Sequence, residues 1–514
     1  MDLQADYVIV GAGAAGCVLA ARLSANPATT VLLLEAGGRS RHPLTSVPKG
    51  FYRTMTHPVH AYRYATARRD GSGEWWLRGR GLGGSTAING MIYIRGWAPD
   101  YDALVAAGNP GWGWTAMLPA FRSMEDHALG ASPLRGVDGP LHVSVSSSRD
   151  PVVAAMLGAA AAAGLTPVAD VNASDDDRIG PPPSTIRRGA RVSAASAFLE
   201  PARHRPNLHV LVEARVNSVL LDGGMAAGAM RAAGVVGVVG PGAARGCGEP
   251  LVARARREVI LAAGAVKTPL LLERSGIGDP ARLTRAGIDP AVTSPNVGER
   301  LVEHRAVTVH ARLHPGLGLN ERLGTISGQL LAGSAYLLTR RGPIATGPYD
   351  LLGQLRSAPE EVRPDIQIML TPMSIDLTAD RLRLARHAGL MISGYQLRPT
   401  TRGAVHASGP GLTDPPVIDA HYLDTDVDRR VTGRILGRVR ALLAEQPLAE
   451  LVVAEESPGP DVAEPEQAVE FALATGTGVY HAIGSCAMGP SDDDVVDARL
   501  RVRGVHDLRV VDAS

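Results

Sequence analysis

Three glycines and one acid near the start of the chain carry the first recognisable chemistry. Gly11, Gly13 and Gly16 form GxGxxG directly after the apolar run DYVIV, and Glu35 closes the next apolar run, TVLLLE, about 20 residues beyond the last glycine. Gly11 permits a tight turn, Gly13 lets the backbone approach a pyrophosphate at the positive end of a helix, and Gly16 lets that helix pack closely on a strand. Glu35, followed by Ala36, is placed to accept hydrogen bonds from an adenosine ribose, and its charge disfavours a 2′-phosphate, which argues against NADP. The pattern predicts a dinucleotide site and by itself leaves FAD and NAD both open. Positioning it requires a strand over 6–10, the turn GAGAAG with Ala14 inside it, a helix to about Ser24, and a strand ending at Glu35. This is one βαβ unit, and the fold is expected to begin at residue 6.

The chain has 514 residues, room for a two-domain enzyme with a sizeable core. Lys and Arg number 52 against 51 Asp and Glu, so the formal charge of +1 excludes a polyelectrolyte binder and leaves no nucleic-acid footprint. Cys17, Cys247 and Cys486 are the only cysteines and form no CxxC pair. A disulfide framework and a cysteine zinc site are therefore not expected, nor is any other metal site, and a reducing, cytoplasmic setting is. No basic leader precedes the first strand, so no signal peptide is expected. The longest uncharged run, PVVAAMLGAAAAAGLTPVA between Asp150 and Asp170, reads as a buried Ala-rich helix ending near Gly164 rather than as a membrane span.

Further strand signals lie at 208–264, where NLHVLVEARVNSVLL and REVILAAG bracket a Gly/Ala-rich stretch, 223–248, that reads as a loop or weak hairpin. From 303 to about 423 apolar segments such as DIQIML and HAGLMISGYQL alternate with Pro and Gly, which predicts a second, mainly antiparallel domain. PGPDVAEPEQ at 458–467 reads as a surface link before a helix and the tail.

Five stretches in order resemble the glucose-methanol-choline (GMC) oxidoreductases. They are GRGLGGSTAINGMIYIRG at 79–96, GAVKTPLLLERSGIG at 264–278, PNVGERLVEH at 295–304, HAIGSCAMG at 481–489 and VVDARLRVRGVHDLRVVDAS at 495–514. The resemblance, closest to choline-dehydrogenase-like members, implies an α/β fold: a Rossmann-like FAD domain with a six-stranded antiparallel substrate domain. It assigns 1–45, 186–300 and 471–514 to a discontinuous FAD domain, 46–150 to a flavin-covering lid and extended FAD region, and 151–185 with 301–470 to the substrate domain. It places Leu82, Gly83, Gly84 and Ser85 near the flavin and pyrophosphate, the Asn89, Gly90, Met91 and Ile92 backbone against the isoalloxazine, and Val216 at the adenine. Ala263 and Gly264 then end a strand near the cofactor, and Asp512 and Ala513 contact its ribityl and pyrimidine side. Ile88 stands where some members carry a histidine that attaches FAD covalently, so non-covalent FAD is expected.

The same resemblance makes His481 the active-site base for oxidation of a small-molecule alcohol, a role that suits a neutral imidazole with a pKa near working pH. His304 reads as a satisfied structural residue. The electron acceptor is expected to be oxygen or a quinone or dye. In the family VVDAS precedes a Pro-containing segment, a second catalytic His or Asn and a closing helix, and the match at Ser514 leads to the expectation that this C-terminal segment is lacking. Two other outcomes follow from these expectations: a flavin-binding remnant with little catalysis, and a flavin-containing hydroxynitrile lyase on the same fold.

Overall fold

The structure, a computed structural model, describes residues 1–40, 42–67, 72–146, 148–223, 230–377 and 383–514. Its first strand, Asp2–Val10, starts four residues earlier than the apolar run suggests, because Asp2 to Ala5 continue in parallel register with Val252 to Ala255. Alternate residues bury on opposite faces. Ile9, Val31 and Leu33 pack with Cys17 and Ala20 of the helix Ala14–Leu23, while Val8, Val10, Leu32 and Leu34 pack against the far side of the sheet. Strands buried on both faces read as near-continuous apolar runs, which is why DYVIV and TVLLLE were legible as strands. The helix lies so close to the first turn that a Cβ on Gly16 would fall 1.8 Å from the Gly11 carbonyl oxygen.

This eight-stranded sheet runs in the order Leu208–Leu211, Val31–Leu34, Asp2–Val10, Glu249–Leu261, Met230–Val239 and Ala214–Asp222. Val505–His506 joins it beside Met230–Val239, and Leu508–Val510 beside Glu249–Leu261, both in parallel. The first four strands of that order are parallel and the rest form an antiparallel meander. Part of the stretch read as a loop or weak hairpin is a central strand: Met230–Val239 pairs antiparallel on both sides, and tertiary pairing overrides the weak strand propensity of its glycines. Residues 224–229 of that stretch lie outside the described residues.

A second sheet has seven strands, in the order Val452–Ser457, Val307–Leu313, Gly389–Gln396, Ile366–Thr371, Leu351–Leu355, Arg178–Gly180 and Thr166–Pro167. The first six are antiparallel throughout; the seventh adds two parallel residues at the edge. The Ala-rich run forms the helix Pro151–Ala162, which packs with Asp426–Ala444 on this sheet in the largest apolar core. Gly164, just beyond, has φ +91°. The helix Pro465–Thr475 takes the last three residues of the stretch read as a surface link, because proline is well suited to the first turn of a helix. Among the described residues no helix is long and apolar enough to cross a membrane, and no group of His, Cys, Asp or Glu could hold a metal ion.

Candidate functional site

The carboxyl ends of the parallel strands open into a cavity of about 320 Å³. Gly11, Gly13 and Ala14 form one end of it, and Gly13 caps the helix Ala14–Leu23 with no side-chain hydrogen bond. The first-turn N–H groups of that helix consequently have no intrahelical acceptor, the arrangement that receives a phosphate. Gly84 closes over them: its φ is +50°, and a Cβ there would lie 2.7 Å from the Cα of Gly13. Ser85, exposed beside it, accepts from the Gly79 N–H at 3.0 Å.

Glu35, expected to accept from a ribose, is held by three backbone N–H groups of the protein. Its Oε2 accepts from the Ala12 N–H at 2.9 Å, and its Oε1 from the Gly37 N–H at 2.8 Å and the Gly81 N–H at 2.9 Å. One carboxylate thus ties together the glycine turn, the loop after the second strand and the 79–84 loop. Burial raises its pKa, against the pull of those three donors and of Arg80. A carboxylate has about four acceptor positions, so one remains for a ribose hydroxyl on the cavity side. Glu35→Gln turns one acceptor into a donor facing a buried N–H, which costs about 1–3 kcal/mol. FAD affinity, measured by fluorescence titration of the apoprotein, is expected to fall about tenfold.

Ala36, Val216, Ala263, Gly264, Asp512 and Ala513 also line this cavity. Asp512 acts first on the protein: its Oδ2 accepts from the Gly264 N–H at 2.7 Å and the Thr268 hydroxyl at 2.6 Å, capping the helix Gly264–Arg274. Gly16, Leu82 and Gly83 do not line the cavity; Gly83 holds the loop to the glycine turn through its N–H to the Ala12 carbonyl, 2.8 Å. Asn89, Gly90, Met91 and Ile92 lie apart from it as well. Arg191, which the motifs did not single out, anchors the stretch through the Asn89 side chain, whose Oδ1 also accepts from the Met91 N–H at 3.1 Å. Arg191 donates to the Asn89 side chain at 2.7 Å and to the carbonyls of Thr86 and Thr45. Met91 takes φ +64° while its carbonyl accepts from the Thr185 N–H. Ile88 is buried and offers no atom for a covalent link.

His481 sits between two cavity-lining residues, Tyr480 and Ala482. Its surface is solvent-exposed, yet desolvation by the protein packed around the ring, helped by Arg78, holds its pKa down to about 4. The sequence expectation was a base with a pKa near working pH; desolvation of the imidazolium makes it lower. Its ring stands edge-on to His304, centroids 5.4 Å apart, and 6.0 Å from Tyr395. His304 has its Nδ1 2.7 Å from the Gln396 carbonyl oxygen, and burial beside His481 takes its pKa to about 3. Both imidazoles are neutral at physiological pH.

Glu303 was passed over because it reads as one more charge in VGERLVEH. Buried beneath both histidines, it accepts the backbone N–H of His481 at 2.9 Å and of His304 at 2.9 Å. Its Oε2 faces Arg78 Nη2 at 3.5 Å, and neither atom has another hydrogen-bond partner among the described residues. Burial raises the Glu303 pKa and Arg78 opposes it. Tyr62, Tyr64 and Lys267, also missed, form a further wall of the cavity, the Lys267 ammonium lying 5.4 and 5.2 Å from the two ring centroids.

The GMC oxidoreductase family models match residues 5–306 for the N-terminal part and 399–514 for the C-terminal part. The expectation that the C-terminal segment is lacking is thus not borne out. The tail is built into the fold: Leu508–Val510 pairs in the sheet, Asp512 caps a helix, and the Ser514 carbonyl accepts from the Cys486 N–H at 2.6 Å. The remnant reading, which rested on that loss, goes with it. An oxygen-dependent choline dehydrogenase of Vibrio vulnificus is 34% identical, over 100% of this chain and 90% of its own length. The alcohol dehydrogenase (acceptor) of Pseudomonas putida is 33% identical, over 99% of this chain and 91% of its own. Among solved structures, pyridoxine 4-oxidase from Mesorbium loti aligns with a TM-score of 0.87 and 29% identity over 99% of this chain and 94% of that one. A glycine turn, an acid, an uncapped helix start and a capped helix fit a dinucleotide, and the match spans the whole chain: it belongs to the GMC oxidoreductase family and is an FAD-dependent enzyme holding its cofactor non-covalently.

Proposed function

We propose that the chain oxidises a small-molecule alcohol to an aldehyde or ketone, with His481 taking the hydroxyl proton. Bound FAD supplies the hydride acceptor, flavin N5. The observation that carries this reading is His481 itself, a neutral imidazole between two cavity-lining residues with its backbone N–H held by Glu303. A neutral ring can accept the proton as the carbon loses hydride, and a held backbone limits the positions it samples. Glu303 and Arg78 serve as positioning residues beneath it. The pyrophosphate is received by the 11–14 turn with Gly84 and Ser85, the ribose by Glu35, the adenine by Val216, and the flavin by the Asn89 to Ile92 backbone, which Arg191 anchors through the Asn89 side chain. The names of the relatives, a choline dehydrogenase, an alcohol dehydrogenase and a pyridoxine oxidase, agree in substrate class. The acceptor that reoxidises the cofactor is oxygen, a quinone or a dye.

Anaerobic mixing of the purified holoprotein with choline, aliphatic and aryl alcohols should bleach the flavin band near-stoichiometrically with at least one of them. Cyanide release from a cyanohydrin with no alcohol able to bleach the band would replace this reading with that of a lyase.

A further inference from the structure

We infer that the helix Ile326–Thr339 docks the chain peripherally on a membrane surface carrying anionic lipids, its outward apolar face entering the headgroup layer and the arginines at its ends meeting the lipid charges. The helix contains no charged residue. Only Ala332 and Tyr336, four apart, are buried, so the helix lies on the protein along one narrow stripe. At about 100° per residue, Ile326, Leu330, Leu331, Leu337 and Leu338 spread across the opposite half-turn. Their exposures are 79, 66, 73, 74 and 85%. An apolar patch of this kind on one surface helix marks an interaction site.

Charge decides between lipid and a second copy of the chain. Arg322 precedes the helix, Arg340 and Arg341 follow it, and all three are exposed. The hairpin at 186–191 adds Arg187 and Arg188, also exposed, and its turn packs directly on the helix end: Tyr336 donates to the Gly189 carbonyl at 3.0 Å, and a Cβ on Gly189 would fall 2.0 Å from the Arg340 carbonyl oxygen. Glu321, the acid beside Arg322, turns toward its own loop and accepts from the Gly316 N–H. Two such helices pairing antiparallel would set arginine against arginine at both ends, whereas an anionic surface meets them all. The helix has 14 residues, about 21 Å, too short to cross a bilayer and long enough to lie in one.

Beyond the helix the chain reaches Gly347, whose carbonyl accepts from Lys49, and Pro348, whose Cγ would lie 3.0 Å from a Cβ on Gly90. The helix is thus joined by one short segment to the chain that packs against Gly90.

The test is co-sedimentation of the full-length holoprotein with phosphatidylcholine vesicles with and without phosphatidylserine. Binding should require phosphatidylserine and weaken as salt rises. Leu337→Asp with Leu338→Asp should reduce the bound fraction about tenfold or more, with FAD content and unfolding midpoint as in the parent. Arg187→Glu with Arg341→Glu should remove the salt dependence. The inference is overturned if the parent stays in the supernatant, if the Asp pair binds like the parent, or if the parent is a dimer in lipid-free solution that the Asp pair dissociates. Flavin bleaching by alcohols in the lipid-free supernatant is read separately, so failure of docking and failure of the alcohol-oxidation reading are distinct results.

Discussion

His481→Gln is expected to slow anaerobic flavin reduction by the best alcohol about 10²- to 10⁴-fold, the range lost when a positioned proton acceptor is removed. FAD content should not change, since His481 is not among the residues that line the cavity. Glutamine keeps much of the volume and the backbone N–H to Glu303, so the variant isolates the basic nitrogen. The pH dependence makes a second, independent reading. A base must be unprotonated, and burial with Arg78 sets the His481 pKa near 4, below its ordinary value. The rate of reduction at low substrate should therefore rise through about pH 4 and stay flat from there to neutrality. An acid limb centred near pH 6.5, the value of an unperturbed imidazole, or full activity in the glutamine variant, would remove His481 from the mechanism.

Arg305→Met is expected to destabilise the chain by about 3–5 kcal/mol, the range found when one partner of a buried ion pair is removed. The Arg305 side chain is 1% exposed and that of Glu74 5%, with 2.6 Å between Nη1 and Oε2. Arg305 also donates to the carbonyls of Ala472 and Leu473 at the end of the helix Pro465–Thr475, each at 2.8 Å. The other Glu74 oxygen accepts from the Gly478 N–H at 2.8 Å, three residues before His481. Methionine fills the space and takes the Arg305 guanidinium away from the buried Glu74 carboxylate. The fall should appear as a lowered thermal midpoint. Combining it with Glu74→Leu should recover a good part of the loss, because the buried carboxylate that faced Arg305 goes too. If the double variant is no more stable than Arg305→Met alone, the pair is not what holds this segment.

The parts of the site that were legible in the sequence are those whose geometry is local. GxGxxG followed by Glu35 encodes a turn, a helix start and a strand end within one βαβ unit, and the structure assembles them at one end of the cavity. The antiparallel sheet was legible because DIQIML and HAGLMISGYQL are bounded by Pro and Gly. Met230–Val239 was not, since Gly234 and Gly237 dilute its strand signal and only its neighbours, Ala214–Asp222 and Glu249–Leu261, hold it extended. Glu303 lies 178 residues before the N–H it accepts from His481, and no spacing rule links positions so far apart. Arg191 is 102 residues from Asn89, and its role follows from tertiary packing alone. The lowered pKa of His481 was equally out of reach, because it depends on how much protein surrounds the ring.

The cap that Asp512 places on Gly264 spans 248 positions, and the strand Leu508–Val510 comes with it. During synthesis the first βαβ unit can form early, but the helix Gly264–Arg274 stays without its cap until the tail has left the ribosome. Non-local closure of this kind is slow. The cofactor therefore meets a finished cavity only once the strand Leu508–Val510 and Asp512 have been made and have docked on the earlier strands.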